Sequence, residues 1–189
     1  ESGQPPDAKS KANHNSRVRE CAVAATAALG AFVFLVWRAS QFFPNAKGFL
    51  GHDYSWFLPT LLVGRFWQRV NGWWTPPDFT AAFCGGVPFL ANPQNVFFSL
   101  PQLLMTVLEP TPAMFATLVV SATLGAAGCF VLLRRYFRTS VSAATLGATL
   151  FLLNGFVFYR MVIGQLTYHA FAIIPVLACV VASAQRLGT

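Results

Sequence analysis

Four stretches of the chain stay apolar for long enough to matter to a bilayer. They run from about Val18 to Phe42, Ala113 to Leu133, Ser142 to Tyr159 and Leu166 to Ala184. Crossing a hydrocarbon core takes a helix of about 20 predominantly apolar residues, so each reads as a span. The third is near the lower limit. The fourth carries Pro175, which kinks a helix but is tolerated in membranes. Between the first and second stretches lies a long segment, about 43–112, that is not an ordinary polar loop. Within it, YSWFLPTLLVGRFWQRV sets Phe57, Leu58, Leu61, Leu62 and Phe66 at helical spacing, with Thr60, Gly64 and Gln68 opposite. This predicts an amphipathic helix lying in the interface. Residues 96–108 are apolar but short and contain Pro101; that piece crosses, re-enters or lies flat. Residues 1–17 are polar, with almost no apolar side chain, and predict a disordered tail. Residues 186–189 read as a continuation cut short.

Composition agrees with a membrane setting. Hydrophobic residues make up 55% and charged residues 10%, against about 25% charged in a soluble domain. The net charge of +7 does not mark a nucleic-acid surface, because the basic residues flank apolar runs. Lys9, Lys11, Arg17 and Arg19 precede the first span, Arg134, Arg135 and Arg138 join the second to the third, and Arg186 follows the fourth. Four spans put all of these on one side, which the positive-inside rule makes cytoplasmic. Segment 43–112 then lies outside and holds Asp53, Asp78 and Glu109, half of the six acids. The four cysteines show no CxxC spacing, so neither a zinc site nor a disulfide framework is expected.

The residues with chemistry gather at the external rim. Asp53, in GHDYSWF, sits where a carboxylate is partly desolvated, which raises its pKa and suits a general base; the plain alternative is a cap for the following helix. His52 is placed to share its proton or a metal. Asp78 follows Pro-Pro and reads as a second acid, a metal ligand or a turn residue. Arg160 suits a phosphate through its planar fork, or snorkels to headgroups. Arg65 and Arg69 suit lipid phosphates in general. Asn92, Gln94 and Asn95 offer hydrogen bonds to sugar hydroxyls, or serve their own backbone. His169 is an ionisable group just inside a span, a functional candidate or an ordinary hydrogen-bonded histidine. Asn154 with Gly155 reads as helix packing.

The local words GHDYSWFLP at 51–59, GVPFLANPQN at 86–95 with Pro101, and NGFVFYRMVIGQL at 154–166 resemble the bacterial YfhO-like membrane proteins, a family of the GT-C class of glycosyltransferases. The likeness covers roughly residues 18–185 and would be an N-terminal membrane module. The last word resembles the family's R-x-x-x-G-x-L turn, with Gln165 where His often stands. The resemblance implies an all-α polytopic membrane protein of about four transmembrane helices, with a large external first loop containing amphipathic juxtamembrane helices. It implies a membrane glycosyltransferase in the bacterial inner membrane, N-terminus cytoplasmic. Sugar would pass from a polyprenyl-phosphate-linked donor to a glycan, lipid or protein acceptor on the external face. Asp53 would then be catalytic base or help hold a divalent cation. Two other classes stay open: a transporter or lipid flippase, and a non-catalytic scaffold on the same fold.

Overall fold

A computed structural model describes residues 6–42 and 53–187. The described residues are mostly helical. Its elements run α1 (Pro6–Phe42), α2 (Tyr54–Asn71), β1 (Phe79–Thr80), the kinked turn α3 (Ala82–Gly85), β2 (Val87–Pro88), α4 (Leu100–Leu104), α5 (Pro110–Val131), α6 (Val141–Leu152), α7 (Gly155–Val162) and α8 (Ile174–Leu187). A π-helical turn, Leu132–Tyr136, extends α5, and a 3-10 helix, Leu166–Ile173, leads into α8.

Among the described residues, three helical stretches are long and apolar enough to cross a membrane: Val18–Arg38, Pro110–Tyr136 and Leu166–Gln185. The sequence reading differs from the structure in two places. The stretch expected to be one span over 142–159 is two helices that break at Leu153 and Asn154. Asn-Gly is a turn-forming pair, and hydropathy alone is blind to it. The 12 residues of α6 extend about 18 Å at 1.5 Å each, short of the roughly 30 Å core. Residues 6–17, expected to be disordered, continue α1; Ala8, Lys9, Lys11 and Ala12 are all good helix formers. The 96–108 piece, which the sequence left open, forms only the five-residue α4, too short to cross.

The chain divides into two compact units. The first comprises residues 1–35, 123–153 and 174–189. In it α5 and α8 approach closely at Gly128, where a Cβ would come within 2.7 Å of the Val176 backbone nitrogen. Cys179 donates from its thiol to the Gly128 carbonyl at 3.4 Å, and the Tyr136 hydroxyl donates to the Cys179 carbonyl at 3.1 Å. Ser140 caps α6, its hydroxyl accepting from the Ala143 N–H at 3.2 Å.

The second unit comprises residues 36–122 and 154–173. Its core gathers Tyr54, Phe57 and Leu61 from α2, Val96 and Met105, Met114 and Leu118 from α5, and Leu166 and Ala172. Helix α2 therefore turns Phe57 and Leu61 inward and leaves Leu62 and Phe66 exposed. Gln102 of α4 is fully buried against Gly64, and its side-chain amide lies 3.1 Å from that of Gln68. The bidentate Arg65–Glu109 pair, at 3.0 and 3.2 Å, ties α2 to the start of α5. Strands β1 and β2 pair antiparallel, Phe79 opposite Pro88.

Candidate functional site

Asp53 stands at the N-terminus of α2, and its position is set by the opposite end of the unit's sequence. Its backbone N–H donates to the Ile163 carbonyl at 2.9 Å. The next residue, Tyr54, is fully buried and packs on Gly164, which takes φ +88. A Cβ at Gly164 would lie 2.6 Å from the Tyr54 ring and 2.6 Å from its backbone nitrogen. Two of the quoted words, GHDYSWF and RMVIGQL, thus meet at one place. Burial pushes the Tyr54 phenol above its ordinary pKa, so it stays a neutral core ring.

The Asp53 side chain does not cap α2. The helix is started instead by its carbonyl, which accepts from Trp56 at 3.1 Å and Phe57 at 3.0 Å. The carboxylate is half-buried and makes no hydrogen bond or ion pair with the described residues. The capping alternative read from sequence is not what this side chain does here.

Arg160 lies three residues before Ile163, at the C-terminal end of α7. Its backbone carbonyl accepts from Gln165 at 2.8 Å, and its guanidinium donates to the Gln165 side-chain oxygen. That guanidinium sits 4.4 Å from the Tyr168 ring centroid and 5.2 Å from that of Phe156, cation–π distances. Phe171 stacks on Tyr168 at 5.6 Å and contacts Phe156 at 6.2 Å. Arg160 is half-buried and its Nε has no partner. It is held by aromatic faces rather than stretched toward headgroups. His169 is 3% exposed, and neither ring nitrogen has a partner among the described residues. The ordinary hydrogen-bonded histidine is therefore not observed.

The other sequence candidates serve their own loop or stand apart. The Asn92 side-chain oxygen accepts from the Gln94 N–H at 2.9 Å, an Asx turn, and that of Asn95 accepts from the Phe97 N–H at 2.6 Å. Gln94 is exposed. Asp78 is exposed, and its carbonyl accepts from the Phe89 N–H at 2.8 Å, closing the β1–β2 hairpin. His52 lies outside the described residues. Among the described residues no three His, Cys, Asp or Glu side chains come together, whereas a hard divalent cation takes about six oxygen ligands. Asp53 and Asp78 alone do not make that donor set.

Sequence reasoning missed the residues that hold the site rather than line it: Tyr54, Gly164 and the Phe156–Tyr168–Phe171 cluster. Of these only Gly164 left a signal, as the glycine of the R-x-x-x-G-x-L word. Comparison of the chain with known protein families, curated proteins and solved structures finds no match.

Proposed function

We propose that the chain is the N-terminal module of a YfhO-like, GT-C-type membrane glycosyltransferase. The reaction is sugar transfer from a polyprenyl-phosphate-linked donor to a glycan, lipid or protein acceptor at the external face of a bacterial inner membrane. The observation that supports this reading is the Asp53 N–H to Ile163 carbonyl bond. It pins an open carboxylate beside the turn that carries Arg160. In this reading Asp53 takes the acceptor hydroxyl proton and Arg160 offers its planar fork to the donor phosphate. The chemistry balances simply. The acceptor oxygen bonds to the anomeric carbon, the bond to the donor phosphate breaks with its electron pair, and the acceptor proton leaves on Asp53. No step here passes through a metal.

The test uses the full-length protein and its Asp53→Asn variant at equal membrane levels, with glycolipids and surface glycans profiled by mass spectrometry. Loss of one defined sugar in the variant supports the reading. A variant profile equal to wild type, where deletion of the protein changes it, removes Asp53 from the chemistry. A second reading, solute or lipid translocation, draws on His169. An unpartnered ionisable residue inside a candidate span is what a translocation path uses. Uptake of labelled substrate into vesicles that is lost in His169→Ala would favour it.

A further inference from the structure

Arg160 lies just before Leu166, where a stretch long and apolar enough to cross a membrane begins. A half-buried cation is costly unless something compensates it. Among the described residues no carboxylate pairs with Arg160. Three neutral groups hold it instead. The Gln165 side-chain oxygen accepts from Nη1, and the Tyr168 and Phe156 ring centroids lie 4.4 and 5.2 Å from Cζ. The local sequence sets this geometry. Gly164 takes a positive φ and turns the chain back, so that the Gln165 N–H reaches the Arg160 carbonyl at 2.8 Å. The 3-10 helix that follows repeats every three residues. Leu166, His169 and Ala172 are therefore buried on one side, and Tyr168 and Phe171 stack on another at 5.6 Å. None of the three holding groups cancels the arginine's charge, and Nε is left buried with no acceptor. Buried donors without a partner are rare in folded proteins. A bare positive charge with unused N–H donors is what an oxyanion takes up. Phe156 and Phe171 are exposed, which offers the apolar part of a ligand a surface beside its anionic part.

We infer that Gln165 and Tyr168 are positioning residues, which fix the direction of the Arg160 guanidinium without neutralising it, so that it meets the phosphate of a lipid. Neutrality is what matters at 165. A carboxylate there would accept the same hydrogen bond but form an ion pair, and the fork would no longer be free for a ligand. A ring face is what matters at 168. An aliphatic side chain would fill the space without attracting the cation. The inference rests on the reading that Arg160 faces a phosphate. Two sources share that chemistry, a polyprenyl-phosphate-linked donor and the headgroup of a bilayer phospholipid, and the experiment separates them.

The experiment is native mass spectrometry of the full-length protein in detergent, offered equal amounts of farnesyl phosphate, farnesol and phosphatidylglycerol. Wild type is expected to retain farnesyl phosphate over the other two, and Arg160→Met to lose that preference. Gln165→Glu should weaken retention of farnesyl phosphate about tenfold or more, because the new charge cancels the arginine and repels the phosphate. Its thermal unfolding should not fall, because the hydrogen bond to Arg160 is kept and becomes charge-assisted. A merely structural Gln165 would leave retention unmoved in that variant. Tyr168→Leu should weaken retention about threefold, and Tyr168→Phe, which keeps the ring, should match wild type. Retention that is lost in Arg160→Met but unchanged in both Gln165→Glu and Tyr168→Leu overturns the inference and leaves the reading of Arg160 standing. Phosphatidylglycerol retained as well as farnesyl phosphate, and lost in the same variants, supports the positioning role but assigns the phosphate to the bilayer, against the donor reading. No preference for a phosphate in wild type overturns both.

Discussion

Gly164→Ala is the most informative single change in the molecule. Gly164 takes φ +88, a conformation that costs an L-residue about 1–2 kcal/mol. The new Cβ would also meet the Tyr54 ring and backbone nitrogen at 2.6 Å. The ring cannot swing aside, because Tyr54 is fully buried in the core with Phe57 and Leu61. Backbone must move, and overpacking of this kind costs about 1–3 kcal/mol. The sum is about 2–5 kcal/mol, or roughly a 5–20 °C fall in Tm for a chain of this size. The movement separates Tyr54 from Gly164 and so strains the neighbouring Asp53–Ile163 hydrogen bond. The assay is thermal unfolding of the full-length protein in detergent, with glycan profiling at a permissive temperature. Gly155→Ala is the control. Gly155 begins α7, has open space around its Cβ position and no positive φ; alanine there should be neutral or stabilise by up to about 1 kcal/mol. If Gly164→Ala unfolds with wild type, the Tyr54–Gly164 contact does not position Asp53 and the argument built on it fails.

The Arg65–Glu109 pair predicts a pH dependence. Arg65 holds the Glu109 carboxyl below its usual range through its hydrogen bonds and charge. A depressed folded-state pKa means the stabilisation is present above the ordinary carboxyl value of about 4.3. It is lost as pH falls through the lowered value. Unfolding curves of wild type and Glu109→Gln should therefore differ at neutral pH and converge under acid; a gap that persists at low pH would contradict this assignment. Gly128→Ala should destabilise the first unit, because the clash is with the Val176 backbone nitrogen at 2.7 Å and a helix must shift; about 1–3 kcal/mol is expected, read as a lower Tm, and an unchanged Tm would refute the close approach. Gln102→Leu should cost about 0.5–1.5 kcal/mol by removing one partner of the half-buried Gln68 side chain, checked by the same unfolding assay against Gln102→Leu/Gln68→Leu, in which the loss should be smaller.

Much of the membrane character was legible because apolar runs need no tertiary knowledge. The breaks were not. Asn154 and Gly155 are two polar or small residues in a long apolar run, too few to lower a hydropathy average, yet they end α6 and begin α7. The amphipathic pattern of α2 was read correctly as helical but assigned one face. Leu61 and Leu62 are 100° apart on a helix; Leu61 is fully buried and Leu62 is 45% exposed. The apolar stripe is wide enough to serve the core and the exterior at once, and spacing alone does not divide it. Asp53 was visible as a rare acid beside an apolar run. Its neighbour across the fold was not, since Ile163 is more than a hundred residues away and meets it through backbone atoms that carry no sequence signature.

That backbone contact also decides what Asp53→Asn can report. A capping aspartate gives its carboxylate to an N–H of the first turn, and losing such a cap costs about 1 kcal/mol. Here the Trp56 and Phe57 N–H groups bond the Asp53 carbonyl, and Asp53's own N–H is taken by Ile163. The remaining interaction of the carboxylate with α2 is the charge–dipole attraction at its N-terminus, about 0.3–1 kcal/mol and screened by salt. Asn keeps the shape and both backbone bonds. Stability of the Asp53→Asn protein should therefore fall by at most that amount, with the difference vanishing at high salt. A loss of glycan product in a variant so nearly as stable as wild type would be a loss of chemistry. A fall of several kcal/mol would mean that the side chain holds the fold after all, and a missing product would then say nothing about proton transfer.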